Sequence, residues 1–388
     1  MFEIEEITSK DQFSTLRPAW EKLIEENGAY SSFLNYEWFH CCLTAYRKEI
    51  LVIVVKDGSR VICIAPLCRC QDSFRRIKVR KIEFITSPDT PFADFIVNKD
   101  RREESIKAIV GYLFAQKKGS WDLLTLNRLP VESQNYVELK RVLPEEKKKY
   151  FERDSSVIPY ITIEGDWDTF LRSRSARFKK TRRNIINRIS KLGEIEIQCC
   201  REDTTGKLFN ELLAISEKSW KQREGIAISS REEFKVFFAT LNEIAGRKGW
   251  LQVWLLKIND IPVAMEYDLE CLKKVYALRA DFDEKYKEYS PGAYLEYHII
   301  KYLFDEGYDE YNPGPGLEAY KLRWTDHLRK NVTLYICNEN IRGWMIWMLE
   351  CKLIPLLKQI KYLRGRSNWS DDIKDLVNSK TGSFTLYC

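Results

Sequence analysis

The stretch ILVIVVKDGSRVICIAPLCRC, residues 50–70, constrains the fold more than any other, because two apolar runs rich in β-branched residues flank Asp57-Gly58. An Asp-Gly step takes the backbone of a tight hairpin turn, so the two runs pair as antiparallel strands. A sheet that is apolar on both faces needs helices on both sides. The surrounding pattern supplies them. FEIEEI (2–7) alternates as a strand, 11–26 is helical in composition, and SSFLNYEWFHCCLTAY (31–46) places a serine cap before an aromatic helical face. Beyond the hairpin, KIEFIT and ADFIV (81–97) read as a further strand pair, 101–117 as a helix and WDLLTL (121–126) as a strand.

A polar stretch, LPEEKKKYFERDSS (143–156), has the charge density of a linker and sets a boundary near residue 155. After it the order repeats. A strand at PYITI leads to a long helix running from Asp166 or Trp167 to Lys191 and closed by Gly193, with Phe178, Ile185, Ile189 and Leu192 on one face. Strand EIEIQCC, helices over 204–221 and 230–246, strands WLQVWLLKI, PVAMEYDLE and KKVYALRA, a helix from Ser290 to Gly307, and YDEYN (308–312) follow. Two α/β (α+β) halves with mixed sheets are expected, 1–155 and 156–338, in keeping with a 388-residue chain. Residues 339–388 form a basic, Trp-rich tail. There Trp344, Trp347, Met348, Cys351 and Ile354 fall at helical spacing, Pro355 interrupts, and Lys352, Lys358, Lys361, Arg364 and Arg366 add charge. Such a segment lies in a membrane interface or packs on the second domain.

Composition excludes several classes. The eleven cysteines contain no CxxC and the three histidines are far apart, so no metal site is expected and the thiols read as reduced and buried. An acidic N-terminus and apolar runs far short of a span point to a cytoplasmic protein, peripheral at most to the inner face of the cell membrane. The net charge of +6 is local: residues 172–191 hold nine Lys or Arg and no acid, leaving −3 for the rest. An arginine-rich helix suits phosphate partners, RNA or anionic lipid, but its apolar stripe fits the outer face of a packed helix, and no nucleic-acid partner is expected.

Two stretches carry chemistry. At YSPGAYLEYH, Ser290 is placed to cap a helix, Pro291 suits the first helical position, and Gly292 with Ala293 leaves main-chain N–H groups uncovered for an anion such as a pyrophosphate. In NPGPGLEAYKLRW (312–324), Pro313 and Pro315 stiffen the chain while Gly314 and Gly316 bare it for a ligand. Tyr320 and Lys321 then stand in a following helix, offering a phenol and an ammonium.

From these residues the second half resembles the GNAT-type acetyltransferase domain of the CelD/BcsL family of cellulose and exopolysaccharide biosynthesis. The likeness runs over about 165–335 through RFKKTRRNIINRISKLGEIEI, SEKSWKQREG, INDIPVAMEYDLE, FDEKYKEYSPGAYL and NPGPGLEAYKLRW in the family's order. FLNYEWFHCCLTAY and VICIAPL resemble its N-terminal region. The resemblance implies tandem GNAT-like units, as in FemABX peptidyltransferases, with acetyl-CoA or another acyl-CoA as donor and a small-molecule or glycan acceptor. It also implies Glu266, Asp268 and Asp281 as candidate bases, an oxyanion N–H from strand 263–269, pyrophosphate binding by Ser290 to Ala293, and Tyr320 and Lys321 at the acyl or acceptor end. The Q/R-x-x-G-x-G/A signature of simple GNAT enzymes is missing. Two alternatives stay open: a FemABX-like transferase using aminoacyl-tRNA, and a non-catalytic partner of a polysaccharide synthase.

Overall fold

The computed structural model describes residues 2–27 and 31–358; Lys361, Arg364 and Arg366 of the tail lie outside them. The first sheet has eight strands. They are β1 (Glu3–Ile7), β2 (Glu49–Asp57), β3 (Arg60–Phe74), β4 (Ile77–Phe84), β5 (Ile96–Val97), β6 (Leu123–Pro130), β7 (Lys149–Pro159) and, from late in the chain, β14 (Leu328–Cys337). The Asp57-Gly58 hairpin forms as expected, with Asp57 opposite Arg60 and Gly58 at φ +60°. KIEFIT does not pair with ADFIV. At 15 residues β3 is long enough to hold β2 along one half and β4 along the other through a second hairpin, whose Arg75 and Arg76 both take positive φ, while β5 pairs with β3.

The second sheet comprises β8 (Ile161–Thr162), β9 (Ile195–Cys200), β10 (Leu251–Ile258), β11 (Ile261–Cys271), β12 (Lys274–Phe282) and β13 (Glu310–Asn312), in the order β8-β13-β12-β11-β10-β9. One plan underlies both sheets. In the first, β1 is followed by α1 (Lys10–Thr15), α2 (Arg17–Asn27) and α3 (Tyr36–Ala45), the antiparallel β2-β3-β4, α4 (Arg102–Ala115) and β6 parallel to β4, with α5 (Gln134–Glu145) leading on to β7. In the second, α6 (Trp167–Ser173) and α7 (Ala176–Ile189) precede β9. It is followed by α8 (Lys207–Glu217), α9 (Trp220–Arg223) and α10 (Glu232–Lys248), the antiparallel β10-β11-β12, α11 (Pro291–Asp305) and β13 parallel to β12.

The sheets do not follow the expected boundaries at 155 and 338. β7 runs through the first, and β14 returns to the first sheet, inserted between β6 and β7. The polar stretch is strand because its alternation puts charges outward while β14 completes its ladder. The tail begins as α12 (Ile341–Met348), packed on β14 and β7. Pro355 does not end it: a π-type turn at Leu349–Leu353 absorbs the register change and helix resumes to residue 358.

A core shared by both halves lies between the sheets, where Trp38 meets Phe237 (centroids 5.3 Å apart) and Phe33 meets Tyr276 (5.0 Å). The outer faces are covered by α4 and α5 on one sheet and by α6, α7 and α11 on the other. The expected long helix breaks at Arg174-Ser175. Ser175 caps α7, and the bend lets Trp167 and Phe178 close on Trp324 from two sides. Gly193 does not cap that helix; at φ +137° it makes room for the Asn259 side chain. Thiols at Cys41, Cys42, Cys63, Cys68 and Cys337 are buried, and no described cysteine is bonded to another.

Between the halves, Arg279 of β12 reaches Asp89 on the β4–β5 connection, with Nε to Oδ1 at 2.7 Å and Nη2 to Oδ2 at 3.1 Å. Both side chains are less than one-tenth exposed. Removing one partner of such a pair strands the other, so Asp89→Ala should cost about 3 kcal/mol in urea unfolding. A loss within experimental error would show that the Ile226 carbonyl and the Phe234 and Phe238 rings hold Arg279 without it.

Candidate active site

The double Pro-Gly stretch creates the site by ending a strand. β12 and β13 pair only at Lys274–Glu310, Val275–Tyr311 and Tyr276–Asn312. At Pro313 the chain loses its next N–H, and Gly314, at φ +79°, crosses β12 so closely that a Cβ would stand 3.1 Å from the Ala277 carbonyl. β12 runs on alone to Phe282. A cavity of about 730 Å³ opens where the strands part, walled by residues 277–282 and by Pro88, Asp89, Pro91 and Phe92 of the first half. Gly314 lines it. Gly316 does not; its N–H donates to Val157 O (2.9 Å) and its bare Cα clears the Glu318 carboxylate.

Glu266 and Asp268 share the β11 face toward α11, as the alternation predicts, and both are buried. Glu266 lines the cavity; Asp268 lies behind it, fully enclosed. Burial lifts the Glu266 carboxyl to about 7, partly offset by the hydrogen bond that the Tyr311 hydroxyl donates to Oε1. Burial and the neighbouring Glu266 charge push Asp268 further up. Among the described residues neither Asp268 oxygen receives a donor from another group, which suits a protonated Asp268 giving its own hydrogen to Glu266. Asp281 stands on the opposite face, level with Met265. Ser216 and Ser219 donate to it at 3.3 and 3.1 Å and the Lys221 ammonium is 3.2 Å away, so it serves as an anchor for α9 instead of a free base.

The α11 terminus differs from expectation in one respect. Ser290 takes a left-handed conformation (φ 57°, ψ 55°) after the 3-10 turn Glu284–Tyr289 and makes no side-chain cap, while Pro291 occupies the first turn as foreseen. The N–H groups of Gly292 and Ala293 therefore find no acceptor among the described residues. Gly292 and Ala293 line the cavity, and Ser290 and Pro291 do not. The expected oxyanion donor also moves. β11 is paired on both sides, whereas the outer edge of β12 beyond Tyr276 has no strand neighbour among the described residues.

Lys321 opens a short 3-10 turn, Lys321–Arg323, with Tyr320 just before it, where a longer helix was expected. Tyr320 is half exposed at the cavity. Lys321 is buried, its ammonium donating to Pro315 O (2.8 Å) and Gly314 O (3.3 Å) and lying 3.1 Å from Glu318. It clamps the loop and has little left for a ligand. Sequence reasoning missed Tyr311, Glu296 with its partner Arg182 (3.2 Å), and the Asp89 wall. Tyr311 alternates inward in YDEYN and was legible; Asp89 depends on how the halves meet.

Residues 176–322 match the model of the acetyltransferase (GNAT) domain. No curated protein matches the sequence significantly. Among solved structures, the chain is similar to L-PGS from Bacillus licheniformis (14% identity, 89% of this chain and 98% of that one, TM-score 0.53). It is also similar to FemX (13%, 89% and 100%, 0.54) and to a conserved protein of unknown function from Bacteroides thetaiotaomicron (14%, 87% and 100%, 0.52). These likenesses establish a GNAT-like mixed α/β fold, and the matched domain marks the protein as an acyltransferase.

Gly314→Ala should destabilise the protein by about 1–3 kcal/mol, because it combines a left-handed φ with a carbonyl in the way; an unchanged urea midpoint would show that the loop has other room. A raised carboxyl pKa means the folded chain keeps a proton the unfolded chain gives up, so stability falls as pH rises. Asp268→Asn should therefore lose less melting temperature than wild type as pH rises above the ordinary carboxylate range, about pH 4. Parallel curves would place that proton elsewhere.

Proposed function

We propose that the protein transfers an acyl group from acyl-coenzyme A to an amine or hydroxyl acceptor in the parted-strand cavity, with Glu266 as general base. The observation that carries this reading is one cavity lined by Glu266, by the uncapped first turn of α11 and by the unpaired edge of β12. The free N–H groups of Gly292 and Ala293, at the positive end of the helix, suit the donor's pyrophosphate. N–H groups on the open edge of β12 suit the oxyanion that forms as the acceptor attacks the thioester carbonyl. As the new bond forms, the acceptor proton passes to Glu266; the carbon–sulfur bond then breaks and coenzyme A leaves as a thiol, taking a proton.

An amine acceptor with an ordinary lysine-like pKa is only about a thousandth deprotonated at neutral pH, and a positioned base contributes about 10²- to 10⁴-fold. Tyr311 holds Glu266 in place, and Asp268 lies against it. The sugar or polysaccharide-precursor acceptor suggested by the CelD/BcsL resemblance, and a role in exopolysaccharide biosynthesis, belong to this proposal. Calorimetry with acetyl-CoA is the first test: absence of binding, with salt-sensitive binding of aminoacyl-tRNA, would transfer the reading to the FemABX-like alternative.

Glu266→Gln should lower kcat by about 10²-fold or more while leaving acetyl-CoA affinity intact. Wild-type activity should fall as pH drops through about 7, where Glu266 takes up its proton, and the variant should lack that limb. A variant that keeps both rate and limb would exclude Glu266 as the base.

A further inference from the structure

The basic helix α7 has no part in the chemistry above. Of its exposed cations, Arg177, Lys180, Arg183 and Arg188 lie within ion-pair distance of no carboxylate among the described residues; between 172 and 191 only Arg182 does. On other helices some exposed cations are matched, as Lys107 is by Glu103 and Arg141 by Glu138 and Glu145, and the unmatched ones, such as Lys10, Lys22 and Lys207, are not clustered. Unmatched like charges a turn apart repel one another, so α7 carries them at some cost to the isolated helix.

A second observation lies beside it. The turn after the Pro-Gly loop borders the start of α7, where Arg174 Nη1 donates to Trp324 O (2.7 Å) and the Phe178 and Trp324 rings are 4.7 Å apart. On that turn Leu317, Tyr320 and Leu322 are 49%, 43% and 38% exposed, and Tyr320 also lines the cavity. The exposed Arg323 follows at once. Large apolar side chains in water next to unmatched cations fit an interface whose headgroups are negative and whose interior is apolar. Phosphates of RNA would engage the cations equally, but RNA has stacking bases for aromatic rings and no use for Leu317 and Leu322.

We propose that α7 and the turn 317–323 form one docking face for an anionic lipid bilayer, setting the cavity mouth against the headgroups. That the acceptor is drawn from this surface rests on the acyl-transfer reading; the docking does not.

Co-sedimentation of the full chain with vesicles of phosphatidylcholine alone, or mixed with phosphatidylglycerol, tests it. Wild type should sediment with the mixed vesicles and not with the neutral ones. The triple variant Arg177→Gln/Lys180→Gln/Arg183→Gln should bind about fivefold more weakly per cation removed, on the order of a hundredfold in all. Leu317→Ser/Leu322→Ser should also weaken binding, with the remainder more sensitive to salt. Acetyl-CoA affinity, measured separately by calorimetry, should stay at the wild-type level in both variants, which keeps a failure of docking distinct from a failure of the transfer reading. Wild-type binding by both variants would overturn the proposal and assign any membrane contact to another surface, such as exposed Ile341, Trp344 and Met345 of α12. No binding of wild type to either vesicle, or binding of RNA that depends on the cations and ignores the leucines, would overturn it as well.

Discussion

The site depends on the parting of two parallel strands. β12 and β13 would continue as neighbours if the chain after Asn312 could donate to the ladder, and Pro313-Gly314-Pro315 prevents that. Three consequences follow from the one interruption. An interior strand gains an open edge with free donors, a space appears beside it, and the adjoining helix terminus faces that space uncapped. Such an opening in a bare sheet would flood with water; here the β4–β5 connection of the first half closes it, fastened by Asp89 on Arg279. In the first half, the corresponding end of β4 is filled by that connection, with Arg128 donating to the Ser87 and Thr90 carbonyls, so the repeated plan yields one cavity and one wall.

Burying ionisable groups around this space has a physical price that shapes their chemistry. Arg182 with Glu296 and Arg279 with Asp89 are buried as ion pairs. Glu266 and Asp268 form no ion pair among the described residues, so burial moves both toward the neutral acid, and the member in contact with the cavity is left near the pH where a base works. Lys321 illustrates the opposite case: its charge is absorbed by two carbonyls and Glu318, which makes it part of the loop's framework.

The sequence announced its elements through local rules, and those rules were followed where the neighbours are local. Asp57-Gly58 made its hairpin, Glu266 and Asp268 shared a face, and Pro291 opened its helix. Errors arose where tertiary partners decided. The charged stretch near 150 became strand because β14 pairs with it, a strand some 180 residues later in the chain. Ser290 failed to cap because the preceding 3-10 turn delivers it in a left-handed conformation, and Lys321 opened only a short 3-10 turn because it folds back onto the loop.

By itself, then, the order of residues determined the alternating α/β plan, its repetition, the interruption at the Pro-Gly steps and the carboxylates of β11, because hydrophobic period, φ restrictions and strand alternation act over a few residues. Which carboxylate meets the cavity, which donor edge is free, which cation is spent internally and how the first half walls the site were decided by the tertiary structure. Those properties are set by burial and by contacts between residues far apart in the chain, which no short stretch encodes.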